Sequence, residues 1–102
     1  MMFIFEATAV FREWLSSLRD TKAKARILAR IRSAELGNLG DCSPVGEGVS
    51  EMRIHYGPGY RLYFKRTGDI VYLLLIGGNK SSQKRDIAAA LKMAGDIQKG
   101  LS

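Results

Sequence analysis

The sequence has little cysteine and histidine, fewer acidic than basic residues, and no long apolar run. The single cysteine, Cys42, cannot form an internal disulfide, and with one histidine it cannot complete a structural zinc site. The longest apolar run, Ile70 to Ile76, is far too short to span a membrane. Glu6 interrupts the first residues too early for a signal peptide. We therefore expect a cytoplasmic protein that needs no disulfide, metal, cofactor or membrane.

Basic residues clearly outnumber acidic ones. Sixteen Lys and Arg against ten Asp and Glu give a net charge of +6, and the isoelectric point is near 9.8. This excess predicts a polyanionic partner, either nucleic acid or an acidic protein segment, although it could also serve only to keep the protein soluble. The length of 102 residues predicts one domain over residues 1–102 with a single modest core.

The hydrophobic pattern predicts the element order β-α-α-β-β-β-α. Apolar residues recur at helical spacing after Thr8, a candidate N-cap, and again from Thr21 to Leu36. The predicted strands are Phe3 to Ala7, Ser50 to Tyr56, Tyr60 to Arg66 and Ile70 to Ile76, and a last helix begins at Ser81 or Ser82. Residues 37–49 are rich in glycine and predict a loop. The fold class is therefore α+β, a mainly antiparallel sheet with two N-terminal helices on one face and a C-terminal helix.

Strand alternation separates two faces of the predicted sheet. One face is apolar and carries Met52, Ile54, Leu62 and Phe64. The other face carries Arg53, His55, Arg61 and Lys65. If the helices cover the apolar face, the cationic face stays open, and Lys80 can reach it from the end of the last strand. This cationic face predicts an anion site.

The residue types on this face suit the cleavage of a phosphodiester. Metal-independent RNA cleavage needs a base for the 2′-hydroxyl, cations for the developing phosphorane charge and an acid for the leaving oxygen. Arg53 and Arg61 have forked guanidinium groups that bind phosphate oxygens, and the imidazole of His55 is a group suited to proton transfer. An exposed Tyr63 could stack on a base.

Each of these residues also has an ordinary explanation. A lone histidine on a strand is commonly a surface or hydrogen-bonded residue. Arg53 can pair with the neighbouring carboxylate Glu51. Lys65, near a hairpin tip, is commonly solvated. The basic helical segment from Lys22 to Arg32 is either a solvated face or a docking surface for RNA or an acidic protein segment.

Several segments in a fixed order carry a family resemblance. They are FREWL at 11–15, LRD at 18–20, VSEMRI at 49–54, GPGYRLYF at 57–64, LIGGNKSSQ at 75–83 and DI at 86–87. With them, almost the whole chain resembles the RelE/ParE superfamily of toxins, and within it the HigB-like addiction-module killer proteins. The resemblance implies a compact fold of the microbial ribonuclease type.

The resemblance also implies a function and partners. Relatives are toxins of type II toxin–antitoxin pairs that cleave mRNA, commonly on the ribosome, and so stop translation and growth. The implied partners are mRNA, the ribosome and a cognate antitoxin, often a helix-turn-helix protein. Two alternatives stay open on this fold: a non-nuclease, ParE-like inhibitor of DNA gyrase, and an inactive protein that only co-represses with its antitoxin.

Site residues follow from the resemblance by position. Arg61 is implied to stabilise the scissile phosphate, and Arg53 and Lys80 to be further catalytic cations. His55 is a candidate base because of its residue type, since its position is not matched to the family. The expected RNA contacts are Lys65, Tyr63, Gln83, Lys84 and Arg85. Many ribonuclease relatives have Tyr or His near the start of the last helix, where this chain has Asp86, which is therefore the possible acid.

Overall fold

The structure, a computed structural model, describes residues 2–101. The helices are α1 (Ala9–Ser17), α2 (Thr21–Glu35) and α3 (Gln83–Leu101), and a short 3₁₀ turn (Lys80–Ser82) precedes α3. The strands are β1 (Ile4–Ala7), β2 (Cys42–Gly46), β3 (Val49–Ile54), β4 (Tyr60–Arg66) and β5 (Val71–Asn79). The predicted α+β class and its order are confirmed, with one strand added.

The added strand, β2, lies inside the segment that the sequence predicted to be a loop. It pairs antiparallel with β3 at the edge of a five-stranded sheet of order β1-β5-β4-β3-β2. Pro44 lies within β2, and an edge strand tolerates proline because one of its sides has no ladder to complete. Glycine and proline content therefore hid a strand, while the rest of the predicted order held.

Side chains cap the first two helices as the sequence allows. The hydroxyl of Thr8 accepts a hydrogen bond from the backbone N–H of Phe11 and donates one to the carbonyl of Leu75, so it fixes the start of α1 to β5. Asp20 accepts from the N–H groups of Lys22 and Ala23 and begins α2. These caps satisfy donors that a helix start leaves unpaired.

Both faces of the sheet are covered, which corrects the expectation of one open face. The helices α1 and α2 pack on the face that carries Met52, Leu62 and Phe64. The helix α3 packs on the other face through Ala90 and Ala94. The two-residue period assigned the residues to the correct faces. The second face, however, also carries Val49, Tyr63 and Leu75, which form a second hydrophobic core with α3.

Glycines let the layers approach each other at the end of β5. A Cβ atom on Gly77 would overlap the ring of Trp14 from α1, and a Cβ atom on Gly78 would overlap the carboxylate of Asp86 from α3. At the Gly77–Gly78 pair, α1 and α3 therefore pack closely against opposite faces of the sheet. No helix within the described residues is long and apolar enough to cross a membrane.

Candidate anion-binding site

The hairpin turn between β3 and β4 borders an open hollow, which we call the rim pocket. Its volume is about 400 Å³. It is lined by His55, Tyr56, Gly57, Pro58, Gly59, Arg61 and Lys80. Three residues that the sequence predicted for catalysis, His55, Arg61 and Lys80, therefore lie around one hollow at the end of the sheet.

Arg61 reaches the rim pocket from a largely covered position on β4. The residue is only 9% exposed, and its Nη1 donates a hydrogen bond to the carbonyl of Gly59 at 2.8 Å. Its Nε lies 3.8 Å from Oε2 of Glu51 and has no hydrogen-bond partner within residues 2–101. The expectation that Arg61 stands on an open sheet face is therefore wrong. Its side chain is largely covered, and it meets solvent at the rim pocket.

The turn itself is shaped to meet Arg61. Gly59 has φ of +79°, a conformation that side chains disfavour, and a Cβ atom there would lie 3.1 Å from Nη1 of Arg61. The same Cβ would lie 3.5 Å from Cβ of Lys80. Glycine at this position therefore lets the backbone, the guanidinium and the Lys80 stem converge on one wall of the rim pocket.

Glu51 gathers polar side chains beneath α3. Its Oε1 accepts from Nη1 of Arg53 at 3.2 Å. Its Oε2 accepts from the hydroxyl of Tyr63 at 2.8 Å and from Nε2 of Gln83 at 2.9 Å. A buried carboxylate needs such partners, because an unpaired buried charge is costly. The pair of Glu51 with Arg53 that the sequence allowed is thus present.

Tyr63 is fully buried, so it offers no exposed ring for a base to stack on, contrary to the sequence prediction. Its exposed fraction is 0%, and its ring packs in the core under α3. Burial, together with the hydrogen bond to Glu51, raises the pKa of the Tyr63 hydroxyl. Tyr63 therefore acts as a donor to Glu51. Gln83, another expected RNA contact, is turned toward the same carboxylate.

Asp41 is a site residue that sequence reasoning missed. It accepts from Nε and Nη2 of Arg53, at 3.2 and 2.9 Å, and its Oδ2 lies 2.7 Å from Nε2 of His55. Nη1 of Arg53 also donates to Oγ of Ser43 at 2.9 Å. The hydrogen bonds from Arg53 and His55 hold the pKa of Asp41 well below its usual range. Arg53 is therefore engaged by carboxylates and does not line the rim pocket, whereas His55 does.

The remaining predicted cations lie apart from Arg61. The amine of Lys65 donates to the carbonyl of Glu47 at 3.0 Å and lines a different hollow beside the later part of α3. Lys84 and Arg85 are exposed on the first turn of α3 and do not line the rim pocket. The structure thus does not bring these three residues into one cluster with Arg61.

Asp86, the possible acid, is buried behind β5. Its Oδ2 accepts from Oγ of Ser82 at 2.5 Å, and it presses on Gly78, which is paired with Arg61 across the sheet. Asp86 is only 5% exposed and does not line the rim pocket. Its position favours a structural contact at the start of α3 over direct contact with a ligand in the rim pocket.

The rim pocket can bind an anion. Arg61 and Lys80 supply two positive charges, and Lys80 has no ion-pair partner in the part of the chain that the structure describes. His55 is exposed at its edge, with a side chain 72% accessible, so its imidazole is open to a ligand. Over residues 2–101, no group of three His, Cys, Asp or Glu could hold a metal ion.

Comparisons with known proteins give two informative matches. No family model matches the chain. It is similar to an uncharacterized protein of Haemophilus influenzae, with 41% identity over 97 residues that cover 95% of this chain and 98% of that protein. It is also similar to a chain of the crystal structure of the toxin–antitoxin complex RelBE2 from Mycobacterium tuberculosis. That match has 20% identity and a TM-score of 0.53, and covers 78% of this chain and 100% of the other. The fold is therefore of the RelE type.

Proposed function

We propose that this chain, which belongs to the same family as the Haemophilus influenzae protein and has a RelE-type fold, is the toxin of a type II toxin–antitoxin pair. In this proposal it is a HigB-like endoribonuclease that cuts mRNA in the cytoplasm without a metal ion and arrests growth by stopping translation. The observation that carries the proposal is the rim pocket, where Arg61, Lys80 and His55 surround one open hollow.

The proposed chemistry divides among these three residues. Arg61 and Lys80 stabilise the charge that develops on the scissile phosphate, a task for which preorganised cations are effective. The bond from Arg61 to the Gly59 carbonyl fixes the guanidinium before the substrate arrives. His55 removes the proton of the attacking 2′-hydroxyl, and its bond to Asp41 orients the imidazole ring.

Within the described residues no carboxylic acid lines the rim pocket, so in this proposal the leaving 5′-oxygen takes its proton from a water molecule as its bond to phosphorus breaks. Asp86 is buried and bonded to Ser82, so we propose that it supports the start of α3. With only His55, Arg61 and Lys80 in the rim pocket, we propose that the ribosome holds and aligns the substrate. We therefore include ribosome dependence in the proposal, together with a helix-turn-helix antitoxin as the partner. The RelBE2 complex is itself a toxin with its antitoxin.

Arg61→Ala tests the proposal directly. We expect the variant to lose mRNA cleavage by roughly 10²–10³-fold, the usual cost of removing one preorganised donor, and to relieve growth arrest. It should still fold, because Glu51 keeps its bonds to Arg53, Tyr63 and Gln83. Mapping of mRNA ends after induction, with circular dichroism of the purified variant, measures both.

The control is Arg32→Ala, which removes the same charge from an exposed side chain of α2, 65% accessible, outside the rim pocket. This variant should arrest growth like the wild type. A folded Arg61→Ala protein that arrests growth as strongly as the wild type would show that the site is wrong. Accumulated DNA breaks without cut mRNA would instead support the gyrase-directed alternative.

A further inference from the structure

Two more hollows continue from the rim pocket along α2. The middle hollow, of about 270 Å³, is lined by Arg26, Ala29, Arg30, Ile54, His55 and Tyr56. The outer hollow, of about 470 Å³, is lined by Lys22, Ala25, Arg26 and Ala29. Neighbouring hollows share walls: His55 and Tyr56 belong to both the rim pocket and the middle hollow. The three hollows therefore adjoin one another along α2, and we call them together the α2 groove.

The α2 groove is electropositive along its length. Its walls carry Lys22, Arg26, Arg30, Arg61 and Lys80. Within the described residues, no Asp or Glu lines any of its three hollows. Lys22 and Arg26 are one helical turn apart, so their side chains leave the same side of α2 at a rise of about 6 Å. This repeated positive charge suits an extended polyanion better than a single small ion.

The middle of the groove offers a stacking platform. The guanidinium of Arg26 lies over the ring of Tyr56, 4.5 Å from its centroid. Arg30 is held by bonds from Nη1 to the carbonyl of Arg53 and from Nη2 to the carbonyl of Leu39, so it forms a fixed wall. Unstacked bases of single-stranded nucleic acid stack on aromatic rings and on guanidinium planes.

The outer hollow lacks the large apolar side chains that hold a docked protein helix. Docked amphipathic helices rely on large apolar side chains in a hydrophobic groove, whereas the floor beside α2 is made of Ala25 and Ala29. The large apolar side chains that are exposed lie outside all three hollows: Met2, Ile4, Val10, Leu28, Leu36 and Ile70. A polynucleotide therefore fits the α2 groove better than an acidic protein segment does.

We infer that single-stranded RNA flanking the bond in the rim pocket continues along the α2 groove, past Arg26 and Tyr56, to Lys22. This inference rests on the proposed function, because it takes the rim pocket as the place of the scissile phosphodiester. In this inference, the α2 residues that line the groove contact the substrate RNA. RNA length therefore contributes to affinity through Lys22 and Arg26.

Fluorescence anisotropy with labelled 2′-O-methyl RNA, which cannot be cleaved, tests this inference. The wild type should bind a hexanucleotide more tightly than a dinucleotide, by roughly tenfold or more if one base stacks on the platform. The double variant Lys22→Gln/Arg26→Gln should lose this length advantage. Its plot of log Kd against log salt concentration should become shallower by about 1.4, or 0.7 for each lost phosphate contact on a single strand.

The matched control is Lys24→Gln/Arg32→Gln, which removes the same charge from α2 at residues outside the three hollows. It should keep the length advantage. Equal loss in both double variants would mean a bulk charge effect and would overturn the inference. So would a hexaglutamate peptide that binds the wild type more tightly than the RNA does and loses binding in the groove variant.

The same assay separates failure of the groove from failure of the proposed function. Arg61→Ala should weaken the binding of both oligonucleotides, because it removes a cation from the rim pocket. If it does so while the wild type shows no length advantage, the groove is wrong and the rim pocket stands. If Arg61→Ala leaves both affinities unchanged, the proposed function fails at its site.

Discussion

Asp41 holds Arg53 and His55 together at the end of β3. It forms a two-point bond with the Arg53 guanidinium and a further bond with the imidazole of His55. A forked guanidinium engaged by a carboxylate has few donors left for another anion. This one contact explains why Arg53 is a support for the site, whereas Arg61 and Lys80 border the rim pocket.

Asp41→Asn should change how stability depends on pH. The bonds from Arg53 and His55 hold the pKa of Asp41 below its usual range. A carboxyl of lowered pKa stabilises the fold above its unfolded pKa of about 3.9, and this stabilisation is lost as the pH falls through the native pKa. The variant should therefore be less stable than the wild type at neutral pH, with a difference that shrinks below about pH 4.

Urea unfolding at a series of pH values measures this difference. A double-mutant cycle with Arg53→Gln is the control, because the Asp41→Asn effect should become smaller once the guanidinium is gone. An effect of the same size with and without Arg53, or a difference that grows in acid, would mean that the contact with Arg53 is not the cause.

The sequence could identify individual cations but not their partners. The two-residue strand period placed Arg61 and Tyr63 on one side and correctly opposed them to Leu62. Asp41 lies in a glycine-rich segment with no period, twelve residues before Arg53, so no local pattern connected the two. The burial of Tyr63 depends on α3, which arrives from the far end of the chain.

At the scale of elements, glycine has two roles that the sequence alone does not distinguish: it forms tight turns, and it allows close packing inside a strand. Gly46 and Gly48 have positive φ in the tight connection between β2 and β3. Because such glycines are typical of loops, the sequence predicted a loop where β2 lies. The last strand was predicted to end at Ile76, but Gly77 and Gly78 both lie within β5. They are there because Trp14 and Asp86 occupy the space that side chains would need.

Gly77→Ala should therefore destabilise the protein, although alanine generally favours regular structure. The new methyl group would overlap the ring of Trp14, and overpacking of this kind costs about 1–3 kcal/mol of unfolding free energy. Gly95→Ala, in α3, is the matched control because a Cβ atom there meets nothing within 4 Å. It should add about 0.5–1 kcal/mol by improving helix propensity.

Thermal or urea unfolding of the two glycine variants measures both changes, the expected loss of stability in Gly77→Ala and the expected gain in Gly95→Ala. Wild-type stability in Gly77→Ala would mean that α1 can move away from β5 without cost. That result would weaken the view that the end of β5 is tightly clamped between α1 and α3.

At the scale of the whole molecule, one sheet serves two cores. One core joins the sheet to α1 and α2 and contains Phe11, Ile27 and Leu62. The other joins the same strands to α3 and contains Tyr63, Leu75 and Ala90. Because β4 and β5 contribute to both, neither side can lose its packing without disturbing strands that the other side needs. We therefore propose that the chain unfolds as a single cooperative domain.

Ala90→Asp tests this cooperativity from the α3 side. Ala90 is fully buried, and an unpaired buried charge costs about 3–5 kcal/mol. Trp14 is the sole tryptophan and packs in the opposite core, so its fluorescence reports on the far side of the sheet. In urea unfolding, the transitions followed by Trp14 fluorescence and by circular dichroism should shift together to lower concentration.

Ala88→Asp, at an exposed position of the same helix, should cost less than about 1 kcal/mol, because it lowers helix propensity without burying a charge. A Trp14 transition that stays at its wild-type midpoint while α3 melts early would show two independent units and contradict the shared-sheet argument.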